Sequence, residues 1–341
     1  MSTTTTLAAW PTLGKRLFPG VLASCVVAAA ATFLSQHYGA PVMLFALMLG
    51  LAMNFLADDG PCVAGIQWTA QHVLRIGVAL LGLRITAAQV AQMGWHPILM
   101  VVATVAATIV LGIVVARLMR FNGLFGLLTG GAVAICGASA AMALAAALPR
   151  HPMRERATLF TVIGVSALST LAMVVYPMIV RALGLGPTQA GIFLGGTIHD
   201  VAQVVGAGYG MSTATGDAAT LVKLLRVAML LPVIAVAGML TRAREGAVDG
   251  KRPPILPWFA IAFALLVLVN SSGWLPATLV QGGVDLSQWC LVASIAAIGM
   301  KTQLKELLTV GWKPIALMVG ETAFLALLVL AWLHWVGGAM R

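Results

Sequence analysis

Charged side chains are scarce in this sequence. Asp, Glu, Lys and Arg make up only 9% of its 341 residues, whereas hydrophobic residues make up 60%. Soluble domains carry about 25% charged residues, because a folded soluble chain must cover its core with a polar surface. The scarcity excludes a soluble enzyme, a disordered chain and a nucleic-acid binder, despite a formal net charge of +10. The composition is typical of a polytopic membrane protein.

Several signatures of chemistry are also absent. The four cysteines are scattered and form no Cys-x-x-Cys pair, which predicts neither a disulfide framework nor a zinc site. The chain contains no Gly-x-x-x-x-Gly-Lys-Ser/Thr loop for nucleotide phosphates, and no Ser–His–Asp nucleophile pattern is readable. We therefore expect a protein that is not an enzyme, binds no cofactor or metal, and does not drive transport with ATP.

The sequence contains several long runs without charged residues. A helix needs roughly 20 mostly apolar residues to span a bilayer. Runs without Asp, Glu, Lys or Arg cover residues 17–57, 98–116, 121–149, 157–180 and 258–284, and an apolar tail at 314–340 is broken only by Glu321. We predict an all-α, multi-pass membrane protein of about nine to eleven transmembrane segments, with residues 1–341 forming a single integral membrane domain.

The basic residues fall into clusters at 15–16, 117–120, 150–156, 242–252 and 301–313. Cytoplasmic loops of membrane proteins carry surplus Lys and Arg. If all five clusters are cytoplasmic, the chain between 120 and 150 must leave that side and return to it. By a similar argument, the segment around 188–208 enters the membrane from the outside and returns to that side. We therefore predict two broken or re-entrant helices, around 124–148 and 188–208; the alternative is that both cross fully as broken helices.

An internal repeat links two distant parts of the chain. Gly82-Leu83-Arg84 is followed, nine residues later, by a Gly-Trp-His-Pro-Ile sequence at 94–98; Gly299-Met300-Lys301 is followed at the same spacing by Gly-Trp-Lys-Pro-Ile at 311–315. The copies, around 68–102 and 286–320, are separated by an odd number of predicted crossings and so have opposite orientations. Inverted repeats are common in secondary transporters. The alternative is that each Gly-Trp-x-Pro is an interfacial turn that begins a helix.

The first predicted break is rich in small residues. It contains Gly130 and Gly131, then Cys136, Gly137 and Ser139, and the turn is expected at one of the two glycine positions. Non-helical backbone at membrane depth is tolerated where protein or a water-filled cavity surrounds it. A helix that restarts after Gly137 would direct free N–H groups at an anion, with the Ser139 hydroxyl beside them. Tight helix packing explains the small residues equally well.

The second predicted break carries polar side chains in an apolar stretch. Gly196 and Thr197 precede His199 and Asp200, and Gln203 shares a helix face with His199. Ionisable groups inside a membrane are costly and usually functional, and a His beside an Asp suits proton coupling. The alternatives are a structural hydrogen-bonded pair and, with no third ligand nearby, a metal site.

Two further cations stand three residues apart on one helix face, at Lys223 and Arg226. They have three possible roles: pairing with Asp200 or Asp217, attracting an anion, or extending to the membrane surface.

Three sequences together resemble a known family: Ile-Cys-Gly-Ala-Ser-Ala at 135–140, Ile-His-Asp-Val-Ala-Gln-Val at 198–204 and Lys-Leu-Leu-Arg at 223–226. They resemble the YeiH-like family of bacterial inner-membrane proteins, whose members are labelled sulfate exporters. The resemblance covers nearly the whole chain. It implies a place in the broken-helix superfamily of cation–proton antiporters, bile-acid symporters and auxin carriers. It also implies a mobile core domain, a scaffold domain and a homodimer.

We therefore expect a secondary transporter of the bacterial inner membrane for a small anion, such as sulfate or a sulfonate-like organic acid. Substrate-binding groups are expected at Gly130, Gly131, Cys136, Gly137, Ser139, Gly196, Thr197, Gln203, Lys223 and Arg226. His199 and Asp200 are expected to couple transport to protons or, as an alternative, to sodium. Two rival functions remain open: a cation–proton exchanger on the same fold, and a membrane-embedded enzyme that uses His199 and Asp200.

Overall fold

Every regular element in the described part of the chain is helical. The computed structural model describes residues 10–38, 42–92, 94–148, 154–242, 258–302 and 311–339. Parts of the predicted basic clusters and of both repeat copies lie outside these residues. The α-helices are α1 (Trp10–Tyr38), α2 (Val42–Ala52), α3 (Val63–Trp68), α4 (Leu74–Leu80), α5 (Ala87–Gln92), α6 (His96–Leu118), α7 (Gly123–Ala134), α8 (Ala138–Ala147), α9 (Arg154–Ala182), α10 (Pro187–Thr197), α11 (Val201–Tyr209), α12 (Thr213–Ala228), α13 (Leu230–Arg242), α14 (Trp258–Ser271), α15 (Ala277–Lys301) and α16 (Trp312–Ala339). Short 3₁₀ turns at Asn54–Ala57 and Leu81–Leu83 and a π turn at Thr69–Val73 complete the described elements.

The helices are long and apolar enough for a polytopic membrane protein. Among the residues that the structure describes, six spans meet the length and composition of a membrane crossing: Gly14–Tyr38, His96–Leu118, Arg156–Ala182, Thr213–Met239, Ala277–Lys301 and Trp312–Trp335. Three shorter apolar helices lie at Val42–Ala52, Gly123–Ala134 and Ile261–Ser271. The all-α, multi-pass architecture predicted from composition is confirmed.

The chain divides into two compact units. The first comprises residues 1–89 and 258–303, and the second comprises 90–257 and 304–341. Each unit is therefore built from two separate stretches of sequence.

Within the first unit, the two repeat copies are held by the same kind of contact. The Asn54 amide donates to the carbonyl oxygens of Met300 (2.7 Å) and Thr302 (3.1 Å). The Asn270 amide donates to the carbonyl oxygen of Ile85 at 3.3 Å. Ile85 and Thr302 occupy equivalent positions, directly after the basic residue of each copy. An asparagine thus binds the backbone at the same point of both copies.

The paired glycines of the repeat also share their backbone features. A Cβ on Gly82 would lie 2.3 Å from the Phe263 carbonyl oxygen, and one on Gly299 would lie 2.6 Å from that of Leu47. Gly94 and Gly311 both have positive φ angles, +69° and +83°, which glycine adopts without steric strain. Gly311 directly precedes α16, and Gly94 lies two residues before the start of α6.

In the second unit, α12 lies against α6, α10 and α11, and α16 contacts α6, α7, α9 and α10. The contact between α10 and α12 is close because a Cβ on Gly195 would lie 2.3 Å from the Ala219 carbonyl oxygen. This packing places both predicted breaks, between α7 and α8 and between α10 and α11, in the same unit.

Candidate functional site

The first break separates α7 from α8 at residues 135–137. Ile135 leaves the helical conformation at φ −107°, ψ −86°, and Gly137 adopts φ +65°, ψ −128°. An L side chain rarely adopts such a positive φ, so the glycine allows α8 to restart directly after the break. Cys136 is buried between these two residues. The turn therefore lies at the later of the two glycine positions, because α7 runs without interruption through Gly130 and Gly131.

The second break separates α10 from α11 at residues 198–200. Ile198 and Asp200 are extended, with ψ angles of +136° and +142°. The Asp200 carboxylate caps α11 by accepting a hydrogen bond from the Ala202 amide at 2.8 Å. Its own backbone N–H donates to the Ser169 hydroxyl on α9 at 2.9 Å. Aspartate, a preferred N-cap residue, thus starts the second half of this broken helix.

Two buried cations hold the carbonyl ends of both breaks. The Lys223 ammonium donates to the carbonyl oxygens of Ile135 (2.7 Å), Ile198 (3.0 Å) and His199. These are as many acceptors as an ammonium has N–H bonds. One α12 side chain therefore binds the backbone of both breaks at once.

The Arg226 guanidinium acts on the same helix ends. It donates to Val133 (2.8 Å) and Ala134 (2.8 Å) at the end of α7, and to Gly195 (3.1 Å) and Ile198 (3.0 Å) at the end of α10. The last carbonyls of a helix lack intrahelical partners and carry a negative partial charge. Both cations are completely buried, so these carbonyls supply the partners that their charges need. The structure thus assigns Lys223 and Arg226 to capping the two helix ends rather than to extending to the membrane surface.

His199 ties the second break to two other helices. Its Nδ1 lies 3.0 Å from the Val133 carbonyl oxygen on α7, and its Nε2 lies 3.0 Å from the Thr322 hydroxyl on α16. Because a carbonyl oxygen only accepts, Nδ1 carries the hydrogen of this bond. A Cβ on Gly137 would lie 3.5 Å from the His199 Cβ. The two breaks are therefore in direct contact, with the imidazole completely buried between them.

The amino ends of α8 and α11 are more open than the carbonyl ends of α7 and α10. Ala138, Asp200 and Val201 are half-buried and Ser139 is exposed, whereas residues 133–137 and 195–199 are buried. The first amides of a helix have no intrahelical acceptor and carry a positive partial charge. This arrangement leaves positive helix ends accessible and encloses the negative ones.

Four predicted substrate-binding residues make close contacts within the second unit. A Cβ on Gly130 would lie 3.1 Å from the Thr108 carbonyl oxygen, and one on Gly131 would lie 2.3 Å from Leu144 Cδ1. A Cβ on Gly196 would meet Met100 at 3.3 Å, and the Thr197 hydroxyl donates to the Phe193 carbonyl of its own helix at 2.6 Å. The contacts of these four residues are thus explained by packing within the second unit.

Gln203 lies in the first turn of α11, close to the second break. Its amide nitrogen donates to the Thr170 hydroxyl at 2.9 Å, while its Oε1 is buried without a hydrogen-bond partner. Buried acceptors without a partner are unusual in proteins.

The sequence interpretation gave no role to Ser169, Thr170 or Thr322, although these hydroxyls bond to Asp200, Gln203 and His199, at or next to the second break. The sequence feature that could have identified them is a hydroxyl side chain inside an apolar helix.

Among the described residues, no group of three or more His, Cys, Asp or Glu side chains lies together as a metal site would require.

Comparison with known proteins places the chain in a family. The family described as Conserved hypothetical protein 698 matches residues 19–318. The UPF0324 membrane protein CT0845 of Chlorobaculum tepidum is 54% identical over 94% of this chain and 90% of its own length. The UPF0324 membrane protein TauZ of Paracoccus denitrificans is 53% identical over 94% of this chain and 96% of its own. No solved structure matches the chain. The chain therefore belongs to the Conserved hypothetical protein 698 family, whose relatives are UPF0324 membrane proteins.

Proposed function

We propose that this multi-pass membrane protein is a proton-coupled secondary transporter that exports a small anion, such as sulfate or a sulfonate-like organic acid. The bacterial inner membrane and a homodimeric assembly are part of the proposal, as the resemblance to the YeiH-like family implies. On this proposal the protein moves its solute unchanged and performs no chemical conversion.

One observation carries the proposal: two broken helices meet, and their carbonyl ends are already occupied by cations. Broken helices whose amino ends face an anionic group are a recurrent way to build transporter sites. Here Lys223 and Arg226 neutralise the ends of α7 and α10, so no substrate is needed there. The accessible starts of α8 and α11 remain for an anion, with the exposed Ser139 hydroxyl as an additional donor.

The charge balance of this region also favours an anion. Each helix end carries a partial charge of about one half. When the two buried cations, the two negative helix ends, the two positive helix starts and the Asp200 carboxylate are all counted, the region keeps an excess of about one positive elementary charge. Asp200 is the acidic side chain at the breaks, and a cation exchanger would need this carboxylate as its binding group. The same carboxylate already caps α11 by accepting from Ala202.

Proton coupling follows from the place of Asp200 at the start of α11. A carboxylate and a substrate anion at the same helix end repel each other, so protonation of Asp200 would strengthen anion binding. By linkage, anion binding would equally favour protonation. His199 positions this segment through its bonds to Val133 and Thr322.

Flux measurements in proteoliposomes test the proposal. Purified protein is reconstituted, and uptake of labelled sulfate and of competing organic sulfonates is measured with and without a pH gradient. We expect anion flux that increases when the gradient is imposed, compared with protein-free vesicles. Sodium or proton exchange without flux of any anion would contradict the assignment and favour the cation exchanger.

A further inference from the structure

A second buried ionisable group lies away from the breaks, on α16. The Glu321 side chain is 1% exposed and is wedged between α16, α6 and α7. The Thr129 hydroxyl on α7 donates to Oε1 at 2.8 Å. The other carboxyl oxygen, Oε2, is buried with no hydrogen-bond partner.

The room for this carboxyl is made by a glycine. A Cβ on Gly112 of α6 would lie 2.5 Å from Glu321 Oε1 and 2.7 Å from the Gly126 carbonyl oxygen of α7. One turn earlier on the same face of α6, the Thr108 hydroxyl is also buried without a hydrogen-bond partner. Two buried polar atoms that lack partners thus lie in one region of the α6–α7–α16 contact.

No described cation balances this carboxyl. Of the helices packed against α16, α7 and α10 have no titratable side chain. His199, at the second break, hydrogen-bonds to Thr322, which directly follows Glu321. The other described titratable side chains of these helices and of α16 are His96, Arg117, Arg156, Tyr176, Arg181, Lys313 and His334. None of them forms a described ion pair with Glu321.

An ionised carboxylate in such a place would be buried without a counter-charge, which is strongly unfavourable. A protonated carboxyl carries no charge and keeps the hydrogen bond from Thr129. Its C=O oxygen is Oε1, which accepts from Thr129, and its O–H is on Oε2, the atom without an acceptor in this structure. A metal ion would need several oxygen ligands, whereas the carboxyl has a single hydrogen-bond partner here.

We propose that Glu321 is a proton-binding site of the second unit, and that it carries a second proton during coupled transport, besides the one at Asp200. The coupling role of this proton rests on the proposed transport function, whereas the presence of the proton at Glu321 does not. Thr322 connects the two sites in sequence, because it follows Glu321 directly and binds His199.

Infrared spectroscopy tests the proton without any transport assay. In lipid at neutral pH, we expect the wild type to show the C=O stretch of a protonated carboxyl that is lost in Glu321→Gln. The same band should persist in Asp285→Asn, which removes an exposed carboxylate. Thr129→Val keeps the carboxyl but removes its donor, and should raise the frequency of this band. Identical carboxyl bands in the wild type, Glu321→Gln and Thr129→Val would overturn the proton site.

Flux then tests the coupling. Glu321→Gln should retain exchange of internal for external anion but lose accumulation driven by a pH gradient. If the band is lost and gradient-driven accumulation is unchanged, the proton is structural and the coupling role is refuted. If the wild type transports no anion at all, the proposed function fails, while the infrared result still decides whether Glu321 holds a proton.

Discussion

Replacing Lys223 by methionine tests whether the buried cations hold the two breaks together. Methionine keeps most of the length of the side chain but donates no hydrogen bond. The substitution leaves the carbonyls of Ile135, Ile198 and His199 without this donor, inside a fully buried region. Leaving a buried acceptor without its donor costs about 1–3 kcal/mol. Ile198 keeps Arg226 as a donor, so the other two carbonyls together cost about 2–6 kcal/mol. We therefore expect a loss of that size in the free energy of unfolding.

The loss should be visible as a lower melting temperature. Unfolding entropies of about 2 cal/mol/K per residue translate the loss into roughly 3–8 °C for a single transition of a chain this long. The chain has nine tryptophans, so thermal unfolding of the purified protein in detergent can be followed by intrinsic fluorescence. Lys15→Met is the matched control, because Lys15 is exposed. A Lys223→Met protein that melts at the same temperature as Lys15→Met would refute the capping role.

Three further substitutions examine the breaks and their coupling. Asp200→Asn should keep α11 capped, since asparagine is an equally good N-cap residue, while the dependence of sulfate KM on pH is lost; an unchanged dependence would remove Asp200 from coupling. Gly137→Ala should destabilise the protein by about 1–3 kcal/mol, because φ there is +65°. The control is Gly238→Ala, inside α13 with open space around it, which should not lower the melting temperature in the same assay because alanine favours a helix interior. Thr322→Val should cost about 1–3 kcal/mol by leaving His199 Nε2 without its partner, and a melting temperature equal to that of the wild type would show that this bond contributes nothing.

The sequence located the interrupted helices because their signals are local. Glycine at 137 and the polar pair His199 and Asp200 stand out in apolar surroundings, and the structure interrupts the chain at 135–137 and 198–200. These positions lie inside the segments predicted around 124–148 and 188–208. The choice between Gly130–Gly131 and Cys136–Gly137 could not be made from sequence, because both glycine positions suit either a turn or close packing.

The partners of the cations could not be predicted, because they are backbone atoms. Lys223 and Arg226 bind carbonyls that lie 24 to 93 residues away along the chain, and a carbonyl oxygen has no sequence signature. A break in a helix does predict orphan carbonyls nearby. The sequence does not show that buried cations on a neighbouring helix bind these free carbonyls.

Long-range hydroxyl partners were missed for a similar reason. Thr322 meets His199 across 123 residues, and nothing in the sequence near Thr322 separates it from the threonines that bond to their own helix, such as Thr161. Glu321 was visible as the single acidic residue of the apolar tail. Its environment became evident only when α6, α7 and α16 were seen in contact.

Protection of a single cysteine at the start of α8 tests the central claim most directly. The four native cysteines are replaced by alanine, Ser139→Cys is introduced, and its rate of labelling by an uncharged maleimide is measured with and without sulfate or organic sulfonates. Ser272→Cys, at another exposed serine, is the control. The account predicts that a transported anion slows labelling at position 139 and leaves position 272 unaffected. Equal labelling rates at position 139 with every anion would contradict an anion site at this broken helix.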